Sequence, residues 1–315
     1  MIKTLEEKFN KALQISDGDL DGGGAITLSK SLFPYMDYVV PQERNKINEV
    51  VEEAINSGKY STIIMTDCSP SNNSTIELIN KFVEEGNEFV LLDHHKTALD
   101  LNKYTWSTVK VETNGLKHCG TELLYNYYKE LGIEVKHLEE FAELVRSYDT
   151  WDWSLNGFKK PEDLNKFYYY LELDAFIEDI SFKVNNSLNI LDEKDYIALS
   201  VIELMDNRYI DSKKDKFNVI NYNGMNVAVL FVDKCISKLG NIICKENPEI
   251  DFCCLIDLNR DKCSMRTVKD EIRLSEIAKE YGGGGHDKAS GFLLSPELKQ
   301  SLLSNIFYKK KTPIF

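Results

Sequence analysis

Three short apolar runs constrain this chain most, because each one ends in acid. Residues 11–16 lead into Asp17-Gly18-Asp19-Leu20-Asp21-Gly22-Gly23-Gly24, residues 61–66 into Asp67, and residues 89–92 into Asp93-His94-His95. Short apolar runs bounded by polar residues read as buried strands. Helical spacing fills the gaps between them. Helices are expected over 25–32, 45–56 and 74–85, the last opened by a capping box of Ser74 and Glu77. Strand–helix alternation of this kind predicts a mainly parallel sheet with right-handed crossovers. Ligands of such sheets gather outside the carboxyl ends of the strands. All three acidic groups therefore fall on one rim.

Helices are expected next over 120–130 and 137–148, after which Asp149-Thr150-Trp151-Asp152-Trp153 breaks the pattern. Residues 162–209 read as largely helical, interrupted at Asn185, Asn186 and Asn189, with the second half serving as a connector. A new α/β pattern begins at Phe217. Strands are expected over 217–221, 225–232, 252–258 and 263–267, with a helix over 236–246 and a hairpin at Asn223-Gly224. The fold class is thus α/β in two domains: an N-terminal parallel domain over 1–185, a helical connector over 186–215, and a smaller C-terminal domain with a mixed sheet over 216–315.

The net charge of −13 over 315 residues offers no basic stripe for long duplex nucleic acid; Lys309-Lys310-Lys311 is a small cluster near the end. Seven cysteines without a C-x-x-C pair argue against a disulfide framework or a zinc ribbon. Met1 to Asn10 lacks a signal-peptide apolar segment, and no run approaches the ~18 apolar residues of a membrane span. A cytoplasmic location without membrane association is expected.

Several carboxylates and imidazoles on one rim repel or desolvate one another unless cations bind there. Oxygen-rich sites with some imidazole suit manganese or magnesium. Two ions ~3.5–4 Å apart are the usual device for phosphate-ester hydrolysis. Each element also has a plainer reading. Asp-x-Asp-x-Asp-Gly looks like part of a calcium loop but lacks its downstream Glu. Asp67 and Asp149 alone could be ordinary strand or helix ends.

The ordered set Asp17-x-Asp19-x-Asp21-Gly22, Asp67, Asp93-His94-His95 and Asp149 resembles the DHH phosphoesterase family. Ser264-Met265-Arg266 and Gly282-Gly283-Gly284-Gly285-His286-x-x-Ala289-x-Gly291 resemble its associated substrate-binding domain, so the likeness spans residues 15–293. It implies two divalent ions, most naturally manganese, with magnesium or cobalt as alternatives. Asp17, Asp19 and Asp67 would hold one; Asp21, Asp67, His94 and Asp149 would hold the other. Asp93 would orient the histidines, and His95 would meet the scissile phosphate. Ser264, Arg266, Gly283, Gly284, Gly285 and His286 would bind substrate, with Arg266 gripping a terminal phosphate.

Two departures stand out. Asp17 occupies a position where many dinucleotide phosphodiesterases of this family carry His, as RecJ-type exonucleases do with Asp. Cys119-Gly120-Thr121 replaces the small hydroxyl residues often found before the following helix, and no function is drawn from it. His118 reads as a surface loop residue, and His137 as structural. Trp151 and Trp153 could stack a base, but such residues are more often core or interface.

The implied activity is manganese-dependent hydrolysis of short single-stranded oligonucleotides or dinucleotides to mononucleotides. Alternatives are a phosphatase for adenosine 3′,5′-bisphosphate, a cyclic-dinucleotide phosphodiesterase and, from another class, a non-catalytic nucleotide-binding module. A homodimer is left open.

Overall fold

A computed structural model describes residues 4–305, and the Lys309-Lys310-Lys311 cluster lies outside them. The described residues divide into two compact units, one up to Leu199 and one from Ser200. The first unit runs α1 (Leu5–Phe9), β1 (Leu13–Ser16), α2 (Leu20–Leu32), β2 (Asp37–Val39), α3 (Ile47–Asn56), β3 (Thr62–Thr66), α4 (Asn73–Glu84), β4 (Glu88–Asp93), β5 (Ser107–Val109), the small hairpin β6 (Glu112–Thr113) and β7 (Leu116–Lys117), α5 (Gly120–Glu130), α6 (Glu139–Asp149), α7 (Asp152–Asn156) and α8 (Lys160–Asn185). Helix α9 (Glu193–Lys213) carries the chain across the division.

The first unit is built on a five-stranded parallel sheet in the order β2-β1-β3-β4-β5. Alternation assigns its faces. Leu13, Ile15, Ile63, Met65, Phe89 and Leu91 join Val51 of α3 and Ile79 and Phe82 of α4 in one apolar core. Residues of the opposite parity include buried polar groups: Gln14 Nε2 donates to Thr66 Oγ1 at 3.1 Å, and Ser16 Oγ donates to the Thr66 carbonyl at 3.1 Å. Helices α2, α5, α6 and α8 pack together, with α2 against β1 and α5 against β3 and β4.

Two helix starts differ from expectation. Helix α2 begins at Leu20 rather than Ala25. Asp19 caps it, its Oδ1 accepting from the amides of Asp21 at 3.0 Å and Gly22 at 3.2 Å. That cap offsets the poor helix propensity of the three glycines that follow. Helix α4 is not opened by a Ser74–Glu77 capping box; its N-cap is Asn72. The Asn48 side chain accepts from the amides of Ser71 at 3.0 Å and Asn72 at 3.1 Å, so a tertiary contact replaces the local one. The edge strands β2 and β5 and the β6–β7 hairpin were not expected. Strands of two or three residues are too short to show a period.

The second unit continues with β8 (Asn218–Tyr222), β9 (Met225–Phe231), α10 (Ile236–Glu246), β10 (Phe252–Asp257), β11 (Lys262–Arg266), α11 (Leu274–Glu280), β12 (Gly284–His286), β13 (Ala289–Leu293) and α12 (Pro296–Asn305). Its six strands lie in the order β12-β13-β11-β10-β9-β8. The β9–β10 pair is parallel and the remaining pairs are antiparallel, so the sheet is mixed. Asn223 (φ 52°) and Gly224 (φ 86°) form the two-residue turn between β8 and β9, the left-handed pair that an Asn-Gly hairpin demands. One core joins the sheet to Leu239 and Ile243 of α10, and another joins it to Leu274 and Ala278 of α11. Among the described residues no helix is long and apolar enough to cross a membrane.

Ile79 is fully buried in the core beneath the rim. Ile79→Ala should cost about 2–5 kcal/mol of stability, measurable by denaturant unfolding of the metal-free protein.

Candidate active site

The carboxyl ends of β1, β3 and β4 bring Asp17, Asp67 and Asp93 to one rim of the sheet. The N-cap and first turn of α2 add Asp19 and Asp21, and the last residue of α6 adds Asp149. Ligand-capable atoms lie within 4.8 Å of one another in the group Asp17, Asp19 and Asp67 and in the group Asp21, His94 and Asp149. Asp67 belongs to the first group and also meets His94 of the second. Its Oδ1 is 3.1 Å from His94 Nε2, which is itself 3.6 Å from Asp21 Oδ2, while His94 Nδ1 is 3.6 Å from Asp149 Oδ2. Asp67 is only 3% exposed, and its Oδ2 is a buried oxygen with no hydrogen-bond partner. A buried charged oxygen left unpaired is costly. A divalent cation between the two groups is the partner this donor set fits.

The electrostatics point the same way. Burial, then the charges of Asp21, Asp19, Asp149 and Asp17, push the Asp67 carboxyl well above the usual range. Burial with Asp21 and Asp19 pushes Asp149 up to about 7, and burial with Asp21 raises Asp19. Burial lowers His94, favouring the neutral imidazole that can ligate a metal. Asp93 differs: burial opposes its charge, but hydrogen bonds from His95 and Ser69 outweigh that and hold it low. Asp93 Oδ1 accepts from the amides of His94 at 2.7 Å and His95 at 3.2 Å, and meets His95 Nδ1 at 2.8 Å. The three residues of this stretch thus divide in geometry: Asp93 anchors, His94 faces the carboxylates, and His95 is held through one ring nitrogen.

Several residues that shape the site carried no motif. Ser69 Oγ bonds Asp93 Oδ2. The amides of Gly120 and Thr121, at the start of α5, donate to Asp21 Oδ2 at 2.6 Å and Oδ1 at 2.8 Å. Gly120 also sits where a Cβ would come within 2.9 Å of the Asp67 Cβ and amide nitrogen. The signal for both was the Cys119-Gly120-Thr121 departure. Cys119 acts as the N-cap there, its Sγ accepting from the Glu122 amide at 3.4 Å. His118 is not a surface residue and does not join the rim. It is 8% exposed, bonded through Nδ1 to Glu122 at 2.8 Å and through Nε2 to Thr113 at 2.9 Å. Trp151 and Trp153 are not core residues: the first is exposed and the second half-buried.

The substrate-binding candidates lie in the second unit. Register sets Arg266, Ala289 and His286 opposite one another across β11, β13 and β12, with Ser264, Gly291 and Gly284 in the next row of the same face. Arg266 is half-buried at the start of α10, donating to Ser237 Oγ and to the Met265 carbonyl, each at 2.8 Å. The glycines are not a loose turn. Gly283 lies where a Cβ would clash at 2.1 Å with the Gly291 carbonyl, and Gly284 to His286 form an edge strand. Around Gly284 the space is open.

A model of the DHH family N-terminal domain matches residues 14–147. The chain is 33% identical over 304 residues to oligoribonuclease NrnB of Bacillus subtilis (strain 168), covering 93% of this chain and 75% of that protein. The crystal structure of exonuclease RecJ bound to manganese is similar with a TM-score of 0.52 at 15% identity, over 94% of this chain and 89% of that one. RecJ of Thermus thermophilus in complex with Mn2+ also gives 0.52, at 14% identity, over 96% of this chain and 52% of that one. The RecJ likeness is one of fold. Fold and site together define a metal-dependent phosphoesterase. The chain belongs to the DHH family.

A carboxyl held above its unfolded value contributes stability at acid pH that is lost as pH rises through the folded value. The metal-free protein should therefore lose the stability contributed by Asp149 between about pH 4 and about pH 7, with Asp19 and Asp67 acting in the same direction and the lowered His94 opposing them. The gain in Tm on adding manganese should grow over the same interval, because the cation replaces those protons. Thermal scans with chelator or manganese at about pH 5 and about pH 7.5 check both trends. A second expectation concerns Gly120→Ala, whose new methyl would press on Asp67. It should weaken manganese binding by about 10- to 100-fold, read by calorimetric titration.

Proposed function

We propose that this chain hydrolyses short single-stranded oligonucleotides or dinucleotides to mononucleotides, using two manganese ions. The observation that carries the reading is Asp67: a buried carboxylate with an unpartnered oxygen, grouped with Asp17 and Asp19 and 3.1 Å from His94 of the second group. Asp17, Asp19 and Asp67 would hold one ion, and Asp21, Asp67, His94 and Asp149 the other. When bound, such ions activate water as a nucleophile and neutralise charge on the phosphoryl group.

The remaining work falls to protein groups. Asp93 fixes His95 through Nδ1 at 2.8 Å, so Nε2 is the nitrogen His95 presents to the scissile phosphate. Ser69 and the amides of His94 and His95 hold Asp93 in turn. Gly120 and Thr121 keep the Asp21 carboxylate in place. Arg266 grips the terminal phosphate, its other N–H groups left over from the bonds to Ser237 and Met265, and the α10 N-terminus adds a favourable dipole. His286 and the amides around Gly283, Gly284 and Gly285 lie beside it, with Ser264 on the same face. The substrate class is supported by the relative named an oligoribonuclease and by a net charge of −13 that disfavours long duplexes.

Purified protein with manganese should degrade end-labelled di- to pentanucleotides, with cyclic dinucleotides and adenosine 3′,5′-bisphosphate as comparison arms. Preference for either comparison substrate would reassign the substrate. Asp67→Ala should abolish turnover, and Asp93→Asn should lower activity by about 10- to 100-fold; full activity in both would sink the site assignment. Arg266→Ala should raise KM far more than it lowers kcat, because holding the end is uniform binding. A pure kcat loss would contradict that role.

A further inference from the structure

An aromatic tier leads away from the acid cluster and has no part in the chemistry so far. It starts at Tyr148, the residue before Asp149. The Tyr148 ring lies 6.2 Å from that of Trp153 at an interplanar angle of 13°, and Trp153 lies 6.0 Å from Trp151 at 26°. Trp153 is the middle ring and Trp151 the outer one. Trp151 is 65% exposed, an unusual waste of apolar surface in an ordinary core residue.

The tier is held firmly. Arg146, only 6% exposed, donates to Asp152 at 2.7 Å, to Glu143 at 2.6 and 2.8 Å, and to the Lys117 carbonyl at 3.2 Å. That clamp fixes α7 to the end of α6. Trp151 at the junction takes a left-handed backbone (φ 67°), rare for so bulky a residue. The Trp153 indole nitrogen is shielded from solvent yet has no hydrogen-bond partner. A buried indole N–H normally finds an acceptor. The tier also adjoins the acid cluster, because Tyr148 directly precedes Asp149 at the end of α6.

We infer that Tyr148, Trp153 and Trp151 form a base-stacking platform, on which a nucleobase of the substrate lies against Trp151 while its phosphate reaches the acid cluster. The inference rests on the nucleotide reading proposed above. Aromatic stacking tolerates every base, since each has a π-face. The platform therefore recognises that a base is present rather than which base it is. It distinguishes nucleotides from base-free phosphodiesters.

The test compares a dinucleotide with an analogue abasic at one nucleoside, for both positions. In the wild type the base-bearing substrate should be preferred. Trp151→Ala should shrink that kcat/KM preference by about fivefold or more, through KM, and Trp151→Phe should keep most of it. Trp151 is exposed, so truncation leaves the core intact; circular dichroism verifies folding. Tryptophan fluorescence gives an activity-independent readout. Trp106 is buried and bonded to Asn80, so quenching by a dinucleotide should come from the tier and should fall sharply in Trp151→Phe. Cleavage with an unchanged preference in Trp151→Ala and no quenching overturns the platform and leaves the nucleotide reading standing. Quenching without cleavage of any nucleotide overturns that reading and keeps the platform. Neither quenching nor a base preference overturns the platform outright.

Discussion

The structure of the first unit depends on one uncomfortable group, the Asp67 carboxylate. It is buried at the end of a central strand, surrounded by other acids, with one oxygen unpartnered. Such a placement is unfavourable in the protein alone. It persists because the rest of the unit over-determines it. The β3 strand is locked between β1 and β4 over a filled apolar core. The Asp67 amide is tied to the Leu92 carbonyl at 3.1 Å, and its backbone is turned to φ 57°. Gly120 lies so close that an added Cβ would come within 2.9 Å of the Asp67 Cβ. A cation bound there would recover what folding loses.

The same logic explains how the site is layered. Groups that would ligate metal are raised or crowded, whereas the groups that support them are satisfied. Asp93 is almost fully buried and held low by His95 and Ser69. Asp21 receives two amides from α5. Supporting partners of this kind set the orientation of metal ligands and tune them. The second unit uses a different device, a strip of small residues on a mixed sheet. Ser264, Gly284, Ala289 and Gly291 leave a low floor, flanked by Arg266 and His286.

How much of this could be read in the chain follows from the range of each interaction. The central strands, the helix over 120–130 and the Asn223-Gly224 turn depend on local pattern, and all were legible. The start of α2 was not, because an aspartate cap overrode three glycines. The start of α4 was not, because Asn48, 24 residues before the capped Asn72 amide, supplied the bond. Ser69 and Thr121 are ordinary residues until the sheet brings them to Asp93 and Asp21. His118 looked like a loop residue because its partners Thr113 and Glu122 lie on either side of a turn.

The sequence by itself determined that Asp17, Asp67 and Asp93 share one rim. Acids at the ends of successive parallel strands must share a rim, whatever the side chains do, because strand direction is common to all of them. Only the tertiary structure decided how those residues divide their work. Asp93 turns to its neighbours, His94 toward Asp67, and Trp151 outward. Such choices depend on distances and burial across the fold, and these arise when distant segments pack together.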